Sequence, residues 1–293
     1  MTATLLTPDY LRRHPLPRHD GGGGKEDRGR VLIVGGSATL PGAPLLAGLG
    51  ALRAGAGILQ IATCRSVAPH LALAMPEAMV VGCSETEDGG LSPEAAGRII
   101  ELAGKVDAVL IGPGMSDLDA TRELATRLVA EVHGPQIVLD ALALTGLKDV
   151  PHLLQDKAGR VVITPHAGEM ATFLDIERDE VEADALAAAR RAHAATGAVI
   201  AMKGVDTFVV SANEHWVSKR GSLALATSGS GDTLAGILIG LLARGTPPLL
   251  SVLWAVYLHA SAGERLAQRY GRVGALAREI PAEVPMLMEE LLA

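Results

Sequence analysis

The sequence predicts an α/β protein: a three-layer α/β/α sandwich with a mostly parallel central sheet and a β-hairpin at one edge. Three observations predict it. Short apolar, β-branched runs recur along the chain, most of them followed by a Gly or Pro turn and then by apolar residues at helical spacing. The runs are continuous rather than alternating, as parallel strands covered on both faces require. Strand–helix–strand succession then places consecutive strands in one sheet with helices on its faces.

The elements follow in chain order. "RVLIVGG", "PGAPLLAGLGALRAGAG" and "ILQIAT" form a βαβ unit in which Leu45, Leu49 and Leu52 share a helix face. "AMVVGC", "AVLIGPG", "QIVLDA", "VVITPH" and "AVIAMKG" supply further strands. "SPEAAGRIIELAG" opens on a Ser92 cap with Pro93 in the first turn, and "DLDATRELATRLVAEV" carries Leu124 and Leu128 on one stripe. "DTFVVSANEHWVSKRG" reads as two strands about an Asn-containing turn, the edge hairpin. From Ser230 onward the chain is helical. No linker divides the core, so a single domain over residues 25–293 is expected, preceded by an arm over residues 1–24 that is mobile or used in oligomer contacts.

Composition limits the function. The 293 residues are 48% hydrophobic and 20% charged, enough to bury a sizeable core. Against 26 Lys and Arg stand 33 Asp and Glu, a formal charge of −7 that offers no general footprint for nucleic acid or an anionic membrane. Any phosphate site must be local. Cys64 and Cys83, without CxxC spacing, argue against a disulfide framework and a structural zinc site and fit a reducing cytoplasm. No export signal is visible, and the longest apolar run, "TLAGILIGLLA", is well short of the roughly 20 residues that span a bilayer.

Several motifs carry possible chemistry. "DGGGGKE" lacks the Ser or Thr after Lys25 and the preceding strand that a Walker loop needs, and "GGSATLPGA" does not fit GxGxxG; the first reads as a connector. "TSGSGDTLAG" fits phosphate better. Ser228, Gly229, Ser230 and Gly231 let backbone N–H groups converge at the positive end of a long helix, with Asp232 beside them. Asp232 reads either as an ordinary first-turn acid or as a base that takes the proton of a hydroxyl attacking phosphorus. "ITPHAGEM" presents His166 and Glu169 where a strand meets a helix, His166 being a structural histidine or a substrate contact. "MKGVDT" ends a strand at Lys203, which either reaches solvent or, with Gly204, meets a nucleotide. "LIGPG" exposes backbone at Gly112 and Gly114. Asp140 of "VLDALALTG" is a helix cap or a polar substrate contact. "IVGGS", "IGPG", "ITPH" and "MKGVDT" lie beyond strand carboxyl ends, where open α/β sheets bind ligands.

Taken together, "GRVLIVGGS…PGAPLLAGLGALRAGAG", "LIGPG", "VLDALAL", "ITPHAGEM", "MKGVDT" and "ATSGSGDTLAGILIGLLARG" resemble, in that order, the ADP-dependent NAD(P)H-hydrate dehydratases of the ribokinase-like fold. The resemblance runs from about Lys25 to the C-terminus. It implies a hydro-lyase that converts (6S)-NAD(P)H hydrate to NAD(P)H with ADP consumed to AMP and phosphate: the ring hydroxyl is phosphorylated and the phosphate then eliminated. By the same resemblance Ala43, Gly114, His166 and Asp232 are hydrate contacts, with Asp232 the base. Lys203, Gly204, Val205, Asp206, Thr207 and Gly231 hold the adenine nucleotide, and Ser228 to Gly231 the transferring phosphate. Mg2+ is implied through phosphate and water, organised by Glu169. A homo-oligomer is implied as well, a tetramer being common in the family, with the epimerase on a separate protein. The chain departs from the family's usual wording in "DALALT" for "DADALN", "TSGSGD" for "TGGSGD", and Gly24-Lys25 for His-Lys. An ATP-dependent small-molecule alcohol kinase of the same fold and a non-catalytic nucleotide sensor are the alternatives; His166 speaks against the first, since many such kinases carry Asn there, and Asp232 against the second.

Overall fold

The computed structural model describes residues 2–18 and 24–292. Among them ten strands form one sheet: β1 (Thr4–Leu5), β2 (Arg30–Val34), β3 (Ile58–Cys64), β4 (Ala78–Cys83), β5 (Ala108–Ile111), β6 (Gln136–Leu139), β7 (Val161–Ile163), β8 (Val199–Met202), β9 (Thr207–Val210) and β10 (His215–Ser218). Their spatial order is β1-β10-β9-β8-β7-β6-β5-β2-β3-β4. Of the described strands β9 alone runs against the rest, pairing antiparallel with both β8 and β10. The order reverses between β2 and β5, which pair Val31 with Ala108 through Val34 with Ile111. In open α/β sheets the ligand crevice lies at such a reversal.

Side chains alternate along each strand, so the sheet feeds two cores. Val31, Ile33, Leu59, Ile61, Leu110, Val138 and Val162 point to one. Helices α1 (Pro8–Arg13), α2 (Gly42–Arg53) and α3 (Ala68–Ala74) cover that face, together with the three C-terminal helices. Leu32, Val34, Val109, Ile111, Ile137, Leu139 and Ile163 point to the other. It is covered by α4 (Ala96–Ala103), α5 (Leu118–Glu131), α6 (Ala141–Gly146), α7 (His152–Gln155), α8 (Ala167–Leu174), α9 (Arg178–Ala183) and α10 (Ala185–Thr196). The three C-terminal helices are α11 (Ser230–Ala243), α12 (Pro248–Tyr270) and α13 (Ile280–Leu292). Ser92 caps as expected, accepting from the Glu94 amide, but its first turn is a 3-10 turn over Pro93–Ala95. Leu124 and Leu128 of α5 are fully buried.

Two expectations are corrected. Residues 2–18 are no mobile arm: Leu6, Leu11 and Leu16 are buried, and Trp254 donates its indole N–H to the His14 carbonyl at 2.9 Å. Periodicity could not show this, because three leucines in a Pro-rich stretch form no regular stripe. The hairpin β9–β10 exists but is not the sheet's edge, since β1 pairs parallel with β10 through Thr4 with Trp216 and Leu5 with Val217. On α2 Leu45, Leu49 and Leu52 all pack half-buried against the same core, in keeping with their shared face, while Ala47, Gly50 and Ala51 are fully enclosed against α11. Small residues win the inner face because they let two helix backbones approach. The connector reading of "DGGGGKE" falls largely on residues 19–23, outside the described residues. Lys25 precedes β2 and its carbonyl lies against Gly57, before β3. It therefore sits at the amino ends of the strands, away from the rim that carries the motifs.

Candidate active site

Neighbouring strands end in a row of chemistry. Crossing the sheet, β8 runs into Lys203, β7 into Thr164-Pro165-His166, β6 into Asp140, β5 into Gly112-Pro113-Gly114 and β2 into Gly35-Gly36. Parallel register makes these ends neighbours although they are far apart in sequence. The Lys203 amide donates to the Pro165 carbonyl at 2.7 Å, and His166 and Lys203 form a parallel bridge that continues the ladder one step onto the rim. The Gly36 amide donates to the Pro113 carbonyl at 2.7 Å and ties the loops at the crevice.

Asp140 occupies the N-cap position of α6, yet its carboxylate makes no cap bond. It is 3% exposed and accepts from Thr164 Oγ1 at 2.6 Å and Lys203 Nζ at 2.9 Å. Its role in the fold is to anchor a lysine. Glu169 stands 3.7 Å from the same ammonium. Burial alone would lower the Lys203 pKa, but Asp140 and Glu169 outweigh it and raise it, so Lys203 stays a cation.

His166 and Glu169 are locked together at the start of α8 by a capping box. The Glu169 amide donates to His166 Nδ1 at 3.2 Å, and the His166 amide donates to Glu169 Oε2 at 2.8 Å. Because Nδ1 accepts, the neutral ring carries its proton on Nε2, and the imidazole stands exposed at the rim.

α11 begins where its sequence predicts. Gly229 takes φ 86° at the N-cap, a left-handed conformation that costs glycine nothing, and packs on Leu46 of α2, three residues on from Ala43. The first backbone bond of the helix runs from the Thr233 amide to the Gly229 carbonyl, so the Gly231 and Asp232 amides precede the ladder. A Cβ on Gly231 would lie 3.4 Å from Lys203 Nζ. Burial first, then the negative charge of Asp140, push the Asp232 carboxyl up to about 6, with Lys203 opposing. A carboxylate, an ammonium and helix amides outside the backbone ladder thus converge at one helix start.

The expected site residues form two groups about that point. Lys203, Gly204, Val205, Asp206, Thr207, His166, Ser230 and Gly231 line a cavity of about 780 Å³, closed on its apolar side by Leu225, Leu234 and Val256. Ala43 and Gly114 are not in its walls; they meet each other in the β2/β5 crevice, where a Cβ on Gly114 would lie 2.9 Å from that of Ala43. His259, on α12, also lines the cavity. Sequence reasoning missed it, since an apolar helix with one histidine carries no motif.

Among the described residues no group of three or more His, Cys, Asp or Glu is placed to hold a metal ion. Lys203 fills the space among Asp140, Glu169 and Asp232 that direct ligation would need, and Glu169 is committed to His166. The donor set fits a cation carried on phosphate and water, not one caged by protein.

The family model for NAD(P)H-hydrate dehydratase matches residues 31–286. The chain belongs to this family. The relatives of this NAD(P)H-hydrate dehydratase family member include the ADP-dependent (S)-NAD(P)H-hydrate dehydratase of Xanthomonas campestris pv. campestris, 47% identical over 98% of this chain and 96% of that protein. A bifunctional NAD(P)H-hydrate repair enzyme of Moorella thermoacetica is 36% identical over 98% of this chain, which spans 54% of its length. Among solved structures, a ribokinase-like superfamily protein of Enterococcus faecalis superposes with a TM-score of 0.84 at 27% identity, covering 99% of this chain and 96% of its own. The ADP/ATP-dependent dehydratase of Bacillus subtilis, co-crystallised with ATP/Mg2+, gives 0.82 at 28% identity, with 99% of each chain covered. The fold is ribokinase-like.

Proposed function

We propose that this member of a hydro-lyase family dehydrates (6S)-NAD(P)H hydrate with ADP as phosphoryl donor, giving NAD(P)H, AMP and phosphate. The observation that carries the reading is the meeting, at the start of α11, of a carboxylate of raised pKa with helix amides outside the backbone ladder and the Lys203 ammonium. ADP occupies the cavity, its adenosine against Leu225, Leu234 and Val256 and the Lys203–Thr207 loop, its β-phosphate at the Gly231 and Asp232 amides. The hydrate enters along the β2/β5 crevice past Ala43 and Gly114, with His166 at the boundary between the two.

Asp232 then takes the proton of the ring hydroxyl as its oxygen attacks the β-phosphorus, and AMP leaves. The helix amides and Lys203 face the charge that builds on the transferring phosphoryl oxygens. The ring nitrogen's lone pair expels the phosphate to leave an iminium ion, and loss of a proton from the adjacent ring carbon to water then forms the C=C bond of the reduced nicotinamide. Mg2+, where bound with the nucleotide, would supply neutralisation of the phosphate charge, and Glu169 is the residue that would help organise it. Assembly as a homo-oligomer, with the epimerase on another protein, belongs to the same proposal. Its support is an open strand β4 with Met79 half exposed and, on the preceding helix, Leu73 84% exposed. Sedimentation velocity decides it.

Purified protein given NADH hydrate and ADP should regenerate the nicotinamide absorbance with one AMP and one phosphate per turnover. Asp232→Asn should lower kcat by about 10²–10⁴ while nucleotide still binds. No recovery with either ADP or ATP defeats the dehydratase reading, and full activity of the variant removes Asp232 from the mechanism.

A further inference from the structure

His259 projects from the middle of α12 toward the first residue of α11 and is 9% exposed, its remaining surface being in the nucleotide cavity. Nε2 lies 3.0 Å from the Ser230 carbonyl oxygen and 3.0 Å from Ser230 Oγ. A carbonyl oxygen can only accept, so Nε2 carries the hydrogen and shares it between the two oxygens. Ser230 Oγ is then an acceptor from the imidazole. Its own hydrogen is left without a protein partner, on a side chain that also lines the cavity.

Burial holds the ring neutral by lowering its pKa to about 4, and the nearby Lys203 charge works the same way. The tautomer is therefore fixed across the physiological range. A serine hydroxyl otherwise turns freely between donor and acceptor roles; here one role is already taken.

We propose that His259 is a positioning residue that commits the Ser230 hydroxyl to donating a hydrogen bond to the nucleotide phosphate at the start of α11. The inference rests on the reading that a nucleotide phosphate sits there. It adds a side-chain donor to the backbone amides and assigns a purpose to a histidine 29 positions away in sequence. No proton is transferred through it, so its effect falls on binding of the phosphate and not on the base.

Calorimetric titration with ADP and, separately, with adenosine tests this without relying on turnover. Ser230→Ala and His259→Met should each weaken ADP about tenfold, the loss expected for one hydrogen bond to a charged group, and leave adenosine within about twofold. His259→Gln, whose amide can still donate to both oxygens, should stay within about threefold of the unchanged protein. The double variant Ser230→Ala/His259→Met should bind ADP no more weakly than Ser230→Ala alone. Equal weakening of ADP and adenosine would mean that His259 only holds the pocket's shape, and multiplicative losses in the double variant would mean that the two side chains act separately; either overturns the proposal. If His259→Met does not fold, His259→Gln and Ser230→Ala carry the test, since unchanged ADP affinity in Ser230→Ala is equally fatal. Because ADP binding is the readout, failure of the unchanged protein to dehydrate NADH hydrate would count against the catalytic reading and not against this one.

Discussion

Asp232 has a raised carboxyl for reasons that can be ordered: burial contributes most, Asp140 adds to it, and Lys203 takes some of it back. A base works only when deprotonated, so kcat/KM should fall about tenfold per pH unit below about 6 and level off above it. The sign for stability is opposite. A carboxyl raised from 3.8 to about 6 favours folding fully below pH 3.8, and that contribution is lost as pH rises through 6. Between pH 4 and 7 the melting temperature of the unchanged protein should therefore drop relative to Asp232→Asn as activity appears. An acid limb centred near the ordinary Asp value, in a stopped assay across that range, would remove the environment described here. How much of this was legible in sequence differs by residue. Asp232 was, because the glycines around it announce a close approach. The Asp140–Lys203 pair was not, because 63 positions separate its members and only parallel register brings β6 and β8 close. His259 was invisible because a single histidine in an apolar helix carries no motif.

At the scale of elements, the contact that sets α11 in place is its crossing with α2. Gly236 is fully enclosed there: a Cβ on it would fall on the Ala47 carbonyl, and one on Gly50 would lie 2.8 Å from the Thr233 carbonyl. Both obstacles are backbone, which cannot swing aside as a side chain can. Gly236→Ala should therefore cost about 1–3 kcal/mol despite alanine's better helix propensity, which by itself would return only about 1 kcal/mol. The helix ends of this crossing are also where Gly229 meets Leu46, so a forced separation moves the Gly231 and Asp232 amides relative to Ala43. Chemical denaturation should show the loss of stability, and kcat should fall more than KM for ADP. A variant as stable as the parent would mean that the helices are not in direct backbone contact. Strand positions were readable because burial on two faces writes continuous apolar runs. Which face of α2 lies innermost was not, because a stripe of Ala and Gly has little hydrophobic signal even when it is the most tightly packed surface.

For the whole molecule, the N-terminal segment is a brace across one end of the sheet. Thr4 and Leu5 continue the ladder beyond β10, Tyr10 stacks on His14 and packs on Trp216, and Leu11 sinks fully into the core beneath α13 and α12. Arg244 secures the far side by donating to the Pro17 carbonyl at 3.0 Å. Three buried leucines at about 1.5–3 kcal/mol each amount to a large part of the 5–15 kcal/mol that holds a typical domain together. The brace also bears on the proposed function, since β10 leads directly into Lys219, Arg220, Gly221, Ser222 and Leu223, which form a wall of the cavity proposed for the nucleotide. Deleting residues 1–18 should lower the melting temperature by on the order of 10 °C, since in domains of this size each kcal/mol moves it by a few degrees. It should raise KM for ADP more than KM for the hydrate, whose proposed entry is between β2 and β5, with β5 five strands from β10. It should also leave the unpaired edge of β10 free to associate, visible as concentration-dependent species in size-exclusion chromatography. An unchanged melting curve would show that the segment merely rests on the surface, and equal increases in both KM values would show that its loss loosens the sheet as a whole instead of one wall of the cavity.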